Sequence, residues 1–185
     1  MTADYRAIFK AYDVRGVYPD QLDDEAAYRI GRAFSSWTNA DRIVLGRDCR
    51  LSSPALAQAF ATAVTQHGTD VLDIGLATTD MVYFASGRLA TPGAMFTASH
   101  NPPSYNGLKL CLAGAAPVGQ DTGLEDIRRL AEQEPTSPSG ARRGKVEHAD
   151  MKEAYIDHLV SFADASRLAP LTVVADAANG MAGLV

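Results

Sequence analysis

The sequence has little cysteine, no long apolar run and no excess of basic residues, and each shortage excludes a class of protein. Its 185 residues include only two cysteines, Cys49 and Cys111, which excludes a disulfide scaffold and a cysteine-based zinc site. No apolar stretch approaches the roughly 18 residues that a membrane-spanning helix needs. Acidic residues number 22 and basic residues 17, so the net charge is −5, whereas a general nucleic-acid-binding protein is normally basic.

The rest of the composition is that of an ordinary globular domain. Apolar types make up 46% of the residues and charged types 21%, which is enough for one well-packed core. Residues 1–16 contain no continuous apolar stretch behind a basic flank, so we expect no secretory signal. The expectation is therefore a soluble cytoplasmic protein with no nucleic-acid or membrane partner.

Short apolar runs alternate with amphipathic stretches along the chain. They predict strands at 42–46, 70–74, 93–97 and 108–112, and helices at about 23–37, 53–67, 80–89 and 123–133 and from about 151. This alternation indicates an α/β layered domain. The gap between the third and fourth strands is too short for a helical crossover, so those two should be antiparallel. We therefore expect a mixed, mostly parallel sheet of about four strands flanked by helices.

The last part of the chain suggests a second domain. Residues 135–149 are rich in Pro, Ser and Gly, which predicts a surface loop or linker. The apolar run 171–175 is followed by Asp-Ala-Ala-Asn-Gly-Met-Ala-Gly, which predicts a strand, a tight turn and a helix start. An α/β unit that stops there cannot bury its own faces. We therefore expect the N-terminal piece of a longer protein, with 1–165 as one domain and 166–185 as the truncated start of a second.

The segment with the most chemistry surrounds Ser99. This serine lies just past the predicted third strand, and the turn dipeptides Asn101-Pro102 and Asn106-Gly107 fold the chain back toward the sheet. The return would carry Lys109 toward Ser99 and His100. A hydroxyl, an imidazole and an ammonium together suit phosphoryl transfer, because the serine can hold the phosphoryl group and the cation can offset its charge.

The residues alone leave one alternative open and argue against another. Ser99 and Asn101 could merely satisfy backbone groups of the loop, with His100 exposed to solvent. A serine hydrolase is not indicated, because no G-x-S-x-G elbow occurs and no helix follows the serine.

Several short motifs follow one another along the chain: KAYDVRG at 10–16, GRDCR at 46–50 with Ser53-Pro54, DIGL at 73–76, TASHNP at 97–102 followed by YNGLK at 105–109, and DAANG at 176–180. TASHNP with YNGLK resembles the phosphoserine loop of the α-D-phosphohexomutases, and of the bacterial phosphomannomutase/phosphoglucomutase branch in particular. The other stretches are also similar to that family and follow its order, so the resemblance extends over essentially the whole chain.

The resemblance implies an isomerase of carbohydrate metabolism that works as an intramolecular phosphotransferase. A phosphoserine donates its phosphoryl group to a hexose monophosphate of mannose or glucose, and the hexose 1,6-bisphosphate intermediate reorients and returns the other phosphoryl group. By motif position, Ser99 is the phosphoserine, Lys109 the general acid/base candidate and Arg15 a second catalytic cation. Tyr12, His100 and Asn101 are then expected to contact the substrate.

The same resemblance implies Mg²⁺, bound to Ser99 through its phosphate, with the remaining ligands outside this chain. The family's Asp-rich D-x-D-x-D loop, its sugar-recognition segment and its C-terminal phosphate-binding loop do not occur in the sequence. We therefore expect the chain alone to be inactive as a mutase. Arg47 and Asp48 are expected to form an ion pair that braces the loop. Two other functions stay open: a non-catalytic sugar-phosphate-binding module and a phosphoglucosamine mutase.

Overall fold

The computed structural model describes residues 4–133, 142–164 and 167–184. Helices and strands alternate along most of this part of the chain. The helices are α1 (Tyr5–Ile8), α2 (Asp24–Thr38), α3 (Ser53–Gln66), α4 (Thr79–Leu89), α5 (Leu124–Glu132) and α6 (Lys152–Val160). The strands are β1 (Val14–Val17), β2 (Arg42–Arg47), β3 (Asp70–Leu76), β4 (Gly93–Phe96), β5 (Tyr105–Leu112), β6 (Ala116–Pro117) and β7 (Val146–His148).

Within the described residues, seven strands form one sheet in the order β1-β5-β4-β2-β3-β7, and β6 pairs with β5. The pairs β4–β2, β2–β3 and β3–β7 are parallel, whereas β5 is antiparallel to its neighbours β1, β4 and β6. Among these strands β5 alone therefore opposes the common direction. The predicted mixed, mostly parallel sheet is confirmed, as is the antiparallel pairing of the third and fourth predicted strands.

The predicted number of about four strands was too low. The missed strands β1, β6 and β7 are short, and β7 lies within 135–149, which was expected to be a loop or linker. β7 extends the sheet edge by pairing Val146 with Val71 of β3. Val146 is 43% exposed, so β7 is held more by backbone pairing than by burial, and an apolar pattern gives no signal for such a strand. Residues 135–141 of that segment lie outside the described residues.

Helices cover both faces of the sheet, as predicted. On one face, α1, α2, α3 and α5 enclose a core in which Phe34, Phe60 and Phe96 are completely buried. On the other face, α4 and α6 pack over a smaller core that includes Met81, Val82, Met95 and Tyr155. The helix from about 151 is confirmed as α6, and no helix in the described ranges is both long and apolar enough to cross a membrane.

The strand predicted at 171–175 does not form. Leu171, Val173 and Val174 are 80%, 78% and 92% exposed, and none of the described strands runs beside them. A strand needs a neighbour for its backbone groups, and an apolar sequence does not supply one. The turn predicted after this segment is present, with Gly180 N donating to Ala177 O at 3.0 Å, and a short 3₁₀ helix at Met181–Leu184 follows it.

Candidate active site

The loop between β4 and β5 presents Ser99 to solvent. Its backbone has φ 54°, in the left-handed region that non-glycine residues seldom adopt, and its N–H donates to the Thr97 hydroxyl at 3.0 Å. The Ser99 Oγ lies 3.2 Å from Nδ1 of His100. Two tight turns close the loop, with Asn101 N donating to Ala98 O and Tyr105 N to Pro102 O, each at 3.0 Å. The turn dipeptide at 101–102 therefore folds the chain back as expected.

Arg50, in the connection between β2 and α3, lies across this loop. Its guanidinium donates to four backbone carbonyls: Ser99 O and Asn101 O at 2.8 Å, Pro102 O at 2.9 Å and Tyr105 O at 3.0 Å. Its Nε lies 3.2 Å from a carboxylate oxygen of Asp48. The expected ion pair between Arg47 and Asp48 was therefore wrong, because Asp48 pairs with Arg50. The geometry of the turn explains this, since the Arg50 side chain is directed back over the loop.

A buried amide connects the loop to the start of α3. Asn106 is completely buried, and its Nδ2 donates to Ser52 Oγ at 2.8 Å and to Ser53 Oγ at 3.0 Å. Ser53 Oγ in turn bonds to Asp48 Oδ1 at 2.6 Å. Ser52 holds the N-cap position of α3, and Pro54 follows in the first turn. The Ser52 side chain makes no capping hydrogen bond. Its hydroxyl serves the loop instead.

A second charged group joins β1 to β5 beside the loop. Asp13 is 8% exposed, and its Oδ2 accepts from Arg15 Nη2 at 2.6 Å and from Lys109 Nζ at 3.0 Å. Arg15 also donates through Nη1 to Asn101 Oδ1 at 2.6 Å. Lys109 is thus connected through Asp13, Arg15 and Asn101 to the loop that carries Ser99. Lys109 is also paired across the strands with Met95, and directly opposite residues share one face of a sheet.

A cavity of about 850 Å³ opens in front of Ser99. This volume is within the usual range of small-molecule sites, roughly 300–1,000 Å³. Met95 is one of its lining residues, so the face of the sheet that carries Lys109 also faces the cavity. Four segments form the walls: 48–51 after β2, 78–80 at the start of α4, 97–103 after β4 and 177–181.

Charged groups of both signs and a helix N-terminus border this cavity, and its lining includes the carboxylates of Asp48 and Asp80. The N-terminus of α4, capped by Thr78 Oγ1 accepting from Met81 N at 3.2 Å, lies in its wall, and a helix N-terminus favours an anion. Arg50 also lines it. Deeper in α4, burial raises the pKa of Tyr83, and Cys111, Asp80 and Asp13 raise it further, so this phenol stays neutral at physiological pH.

The six residues singled out from the sequence are not all at the cavity. Ser99, His100 and Asn101 line it. Arg15 is joined to it by its bond to Asn101, and Lys109 by the shared carboxylate of Asp13. Tyr12 is 82% exposed on the turn before β1 and is not among the lining residues.

Three residues that organise the site were given no role from the sequence: Asp13, Arg50 and Asn106. Each lies inside a motif that is visible in the sequence, but its partners are far away along the chain. No local pattern shows, for example, that Asp13 meets Lys109, 96 positions away. The burial of a polar side chain is the signal that would have found Asp13 and Asn106, since buried polar groups need partners, and burial is known only from the fold.

Comparison with known proteins identifies the family. A sequence model of phosphoglucomutase/phosphomannomutase, alpha/beta/alpha domain I, matches residues 6–137. The chain is 45% identical over 179 residues to a phosphomannomutase of Salmonella montevideo, and the match covers 96% of this chain and 39% of that protein. It is also 45% identical to phosphohexose mutases of Xanthomonas campestris pv. campestris, with 96% of this chain and 40% of that protein covered.

Solved structures agree with this result. A phosphoglucomutase/phosphomannomutase family protein from Burkholderia thailandensis superposes with a TM-score of 0.76 at 34% identity, covering 86% of this chain and 36% of that one. A structure described as a putative phosphomannomutase from Thermus thermophilus has the same TM-score at 29% identity, covering 85% and 36%. The chain spans about two fifths of the length of the curated relatives that it matches. It belongs to the phosphoglucomutase/phosphomannomutase family and contains the α/β/α domain I of that family.

Proposed function

We propose that this chain is the phosphoserine-bearing part of a phosphohexomutase that interconverts hexose 1-phosphate and hexose 6-phosphate. The observation that carries the proposal is the exposed Ser99 hydroxyl, held in a strained loop at the mouth of the cavity, with the Arg15 guanidinium bonded to Asn101 of the same loop. A phosphoserine carries about −1.5 to −2 charges at pH 7, and we assign Arg15 and Lys109, on β1 and β5, to offset that charge; the bond from Arg15 to Asn101 of the Ser99 loop supports this assignment. The relatives' names support the phosphosugar substrate.

The proposed reaction needs three functions from this chain. A hydroxyl oxygen of the hexose phosphate attacks the phosphorus of phosphorylated Ser99, and the bond between phosphorus and Oγ breaks. The hydroxyl proton passes to a base, for which Lys109 is the candidate and His100 a neighbouring contact. After the bisphosphate reorients, Oγ of Ser99 attacks its other phosphoryl group, and the bond between that phosphorus and the sugar oxygen breaks. The base returns its proton to this sugar oxygen, which releases the isomeric hexose phosphate and restores the phosphoserine. Arg15 and the start of α4 stabilise the charge on the transferred group by electrostatics.

The described residues do not form a magnesium site by themselves. Across 4–133, 142–164 and 167–184, no group of three or more His, Cys, Asp or Glu side chains is placed to hold a metal ion. The nearby carboxylates of Asp13 and Asp48 are already occupied by Arg15, Lys109 and Arg50. Our proposal for Mg²⁺ is therefore limited to a contact through the Ser99 phosphate, and we derive no step through the metal.

We also propose that the chain contains domain 1 over 1–165 and the start of domain 2 over 166–185. Residues 177–181 support this division, because they contact the site from outside the sheet and line the cavity with Ser99. By the same proposal, the isolated chain does not turn over hexose phosphates. A cytoplasmic location fits the two free cysteines, Cys49 and Cys111, since unpaired thiols are usual in reducing compartments.

Phosphorylation at Ser99 tests the proposal. The complete gene product that carries this chain is incubated with glucose 1,6-bisphosphate and Mg²⁺, and its intact mass and phosphopeptides are measured. We expect one stable phosphoryl group that maps to Ser99. Ser99→Ala should remove it together with conversion of glucose 1-phosphate to glucose 6-phosphate. Ser104→Ala is the matched control, because Ser104 is an exposed serine of the same loop.

Two results would contradict the proposal. A wild-type protein without any phosphoryl adduct would favour a sugar-phosphate-binding module without catalysis. An adduct that persists in Ser99→Ala would place the chemistry on another residue. Comparison of the phosphates of glucose, mannose and glucosamine with the active enzyme then determines the preferred hexose and separates a phosphoglucosamine mutase from the other two.

A further inference from the structure

We propose that Arg50 is a positioning residue that fixes the Ser99 loop in the conformation needed for phosphoryl transfer. The inference rests on the function proposed above and assigns to Arg50 a role that acts through the loop backbone. Its side chain is only 12% exposed, and most of its hydrogen-bonding groups are directed at the loop instead of the cavity.

The partners of Arg50 span the whole loop. Two of its four carbonyl partners, Ser99 O and Asn101 O, are bonded through Nη2, and the other two, Pro102 O and Tyr105 O, through Nη1. Ser99 begins the exposed part of the loop, and Tyr105 begins β5. One planar group therefore ties the reactive residue to the strand on which Lys109 lies.

The guanidinium group is suited to this arrangement in a way that an ammonium is not. Arginine has five N–H donors in a rigid fork, whereas lysine has one charged nitrogen with three donors. In Arg50, Nη1 and Nη2 donate to the four carbonyls, and Nε lies beside the Asp48 carboxylate. A lysine could keep the ion pair with Asp48 but could not span both ends of the loop.

Arg50 is itself held in place from behind. Asp48 is 6% exposed, and its Oδ1 accepts from Arg50 N at 3.0 Å and bonds to Ser53 Oγ at 2.6 Å. Asp48 N donates to Phe96 O at 2.9 Å, at the end of β4. Asp48, which holds Arg50, is therefore itself bonded to Phe96, the last residue of β4, and to Ser53 in the first turn of α3.

The backbone conformation of Ser99 explains why the loop needs the hydrogen bonds from Arg50. A serine at φ 54° is in a sparsely populated conformation, which persists only where the surrounding contacts determine it. The Ser99 carbonyl is one of the four groups that Arg50 holds. Without these bonds the loop would relax to commoner backbone angles and move Oγ relative to Lys109, and a displacement of about 1 Å can slow a reaction about 100-fold.

The test compares Arg50→Lys and Arg50→Ala with Arg142→Lys in the complete gene product. Arg142 is a matched control, because its guanidinium also contacts a carboxylate and a carbonyl, those of Asp70 and Gly68. These two residues lie at and just before the start of β3, away from the Ser99 loop. Steady-state kinetics with glucose 1-phosphate, thermal unfolding and hydrogen exchange of the peptides covering 97–106 are measured for each protein.

We expect kcat to fall about 100-fold in Arg50→Lys while KM changes little, and amide exchange over 97–106 to become faster. The lysine variant decides the matter if Arg50→Ala does not fold. Arg142→Lys should leave kcat and loop exchange unchanged. A merely structural role would lower the unfolding temperature but leave kcat per folded molecule as in the wild type, and that result would overturn the proposal.

The two proposals fail in different ways. If the wild-type protein takes up no phosphoryl group at Ser99, the proposed function fails, and the role of Arg50 in that reaction fails with it. If the wild type is phosphorylated and turns over, but both Arg50 variants match its kcat and loop exchange, only the role of Arg50 is refuted.

Discussion

Asparagine at position 13 would show how far the contact between β1 and β5 depends on charge. Asp13→Asn keeps the shape of the side chain and removes its negative charge. In the wild type, one oxygen of this nearly buried carboxylate serves both Arg15 and Lys109. The variant leaves two cations facing a neutral amide, so both the electrostatic attraction and one of the two hydrogen bonds are weakened.

The magnitude follows from the exposure of the three side chains. Breaking a fully buried ion pair costs about 3–5 kcal/mol, and an exposed pair contributes only about 0.2–1 kcal/mol. The Asp13, Arg15 and Lys109 side chains are 11%, 23% and 25% exposed, which places the group between these limits. Because the amide oxygen still accepts one bond, we expect the free energy of unfolding to fall by about 2 kcal/mol. For a chain of this size the unfolding temperature then falls by about 4–8 °C.

Urea unfolding followed by circular dichroism measures this loss, with an unchanged m-value as the sign that only stability has changed. The same substitution is made in a Lys109→Met background. There we expect Asp13→Asn to cost at least about 1 kcal/mol less, because one of the two cations is already gone. A variant as stable as the wild type, or an equal loss in both backgrounds, would refute the assignment of Asp13 as the shared partner of the two cations.

Two further predictions concern packing and thiol reactivity. Gly31→Ala in α2 should destabilise the fold by about 1–3 kcal/mol in chemical denaturation, since its Cβ would lie 2.7 Å from Phe60 O. Gly87→Ala in α4 meets nothing closer than 3.9 Å and should stabilise it by about 0.5–1 kcal/mol, so the opposite order would contradict the described packing of α2 on α3. Cys49 is exposed and Cys111 buried, and burial raises the pKa of the Cys111 thiol, so its thiolate forms only at higher pH. Mass spectrometry after iodoacetamide treatment of the native protein at neutral pH should therefore find Cys49 alkylated and Cys111 intact, whereas equal labelling would contradict the burial of Cys111.

Much of the fold follows from patterns that are local in sequence. The apolar spacing over α2 and α5 predicted both helices to within one or two residues. The start of α2 is also set by its own residues, because Asp23 caps the helix by accepting from Ala26 N at 2.8 Å. These features depend on a few neighbouring residues, and the same periodicity that forms the helix also marks its buried face.

The candidate site also has a part that is local in sequence and a part that depends on the fold. The motif around Ser99 and the turn after it can be recognised in the sequence, because the turn residues and the candidate site residues are adjacent in the chain. The hydrogen bonds from Arg50 to the loop cannot be recognised in the sequence, since its partners are backbone carbonyls, which every residue possesses. Tyr12, which the resemblance suggests as a substrate contact, is exposed before β1 and does not line the cavity, so its role stays a prediction.

The sequence by itself determined the alternation of strands and helices, the reversal between β4 and β5 and the choice of Ser99 as the candidate phosphoserine. Only the tertiary structure decided that β1 and β7 join the sheet, that 171–175 stays unpaired and that Asp13 holds Arg15 and Lys109 beside the loop. The physical reason is one of range. Hydrophobic periodicity and turn chemistry act between neighbouring residues, whereas strand pairing and buried ion pairs join groups far apart in the chain, and their partners are set only when the whole core has packed.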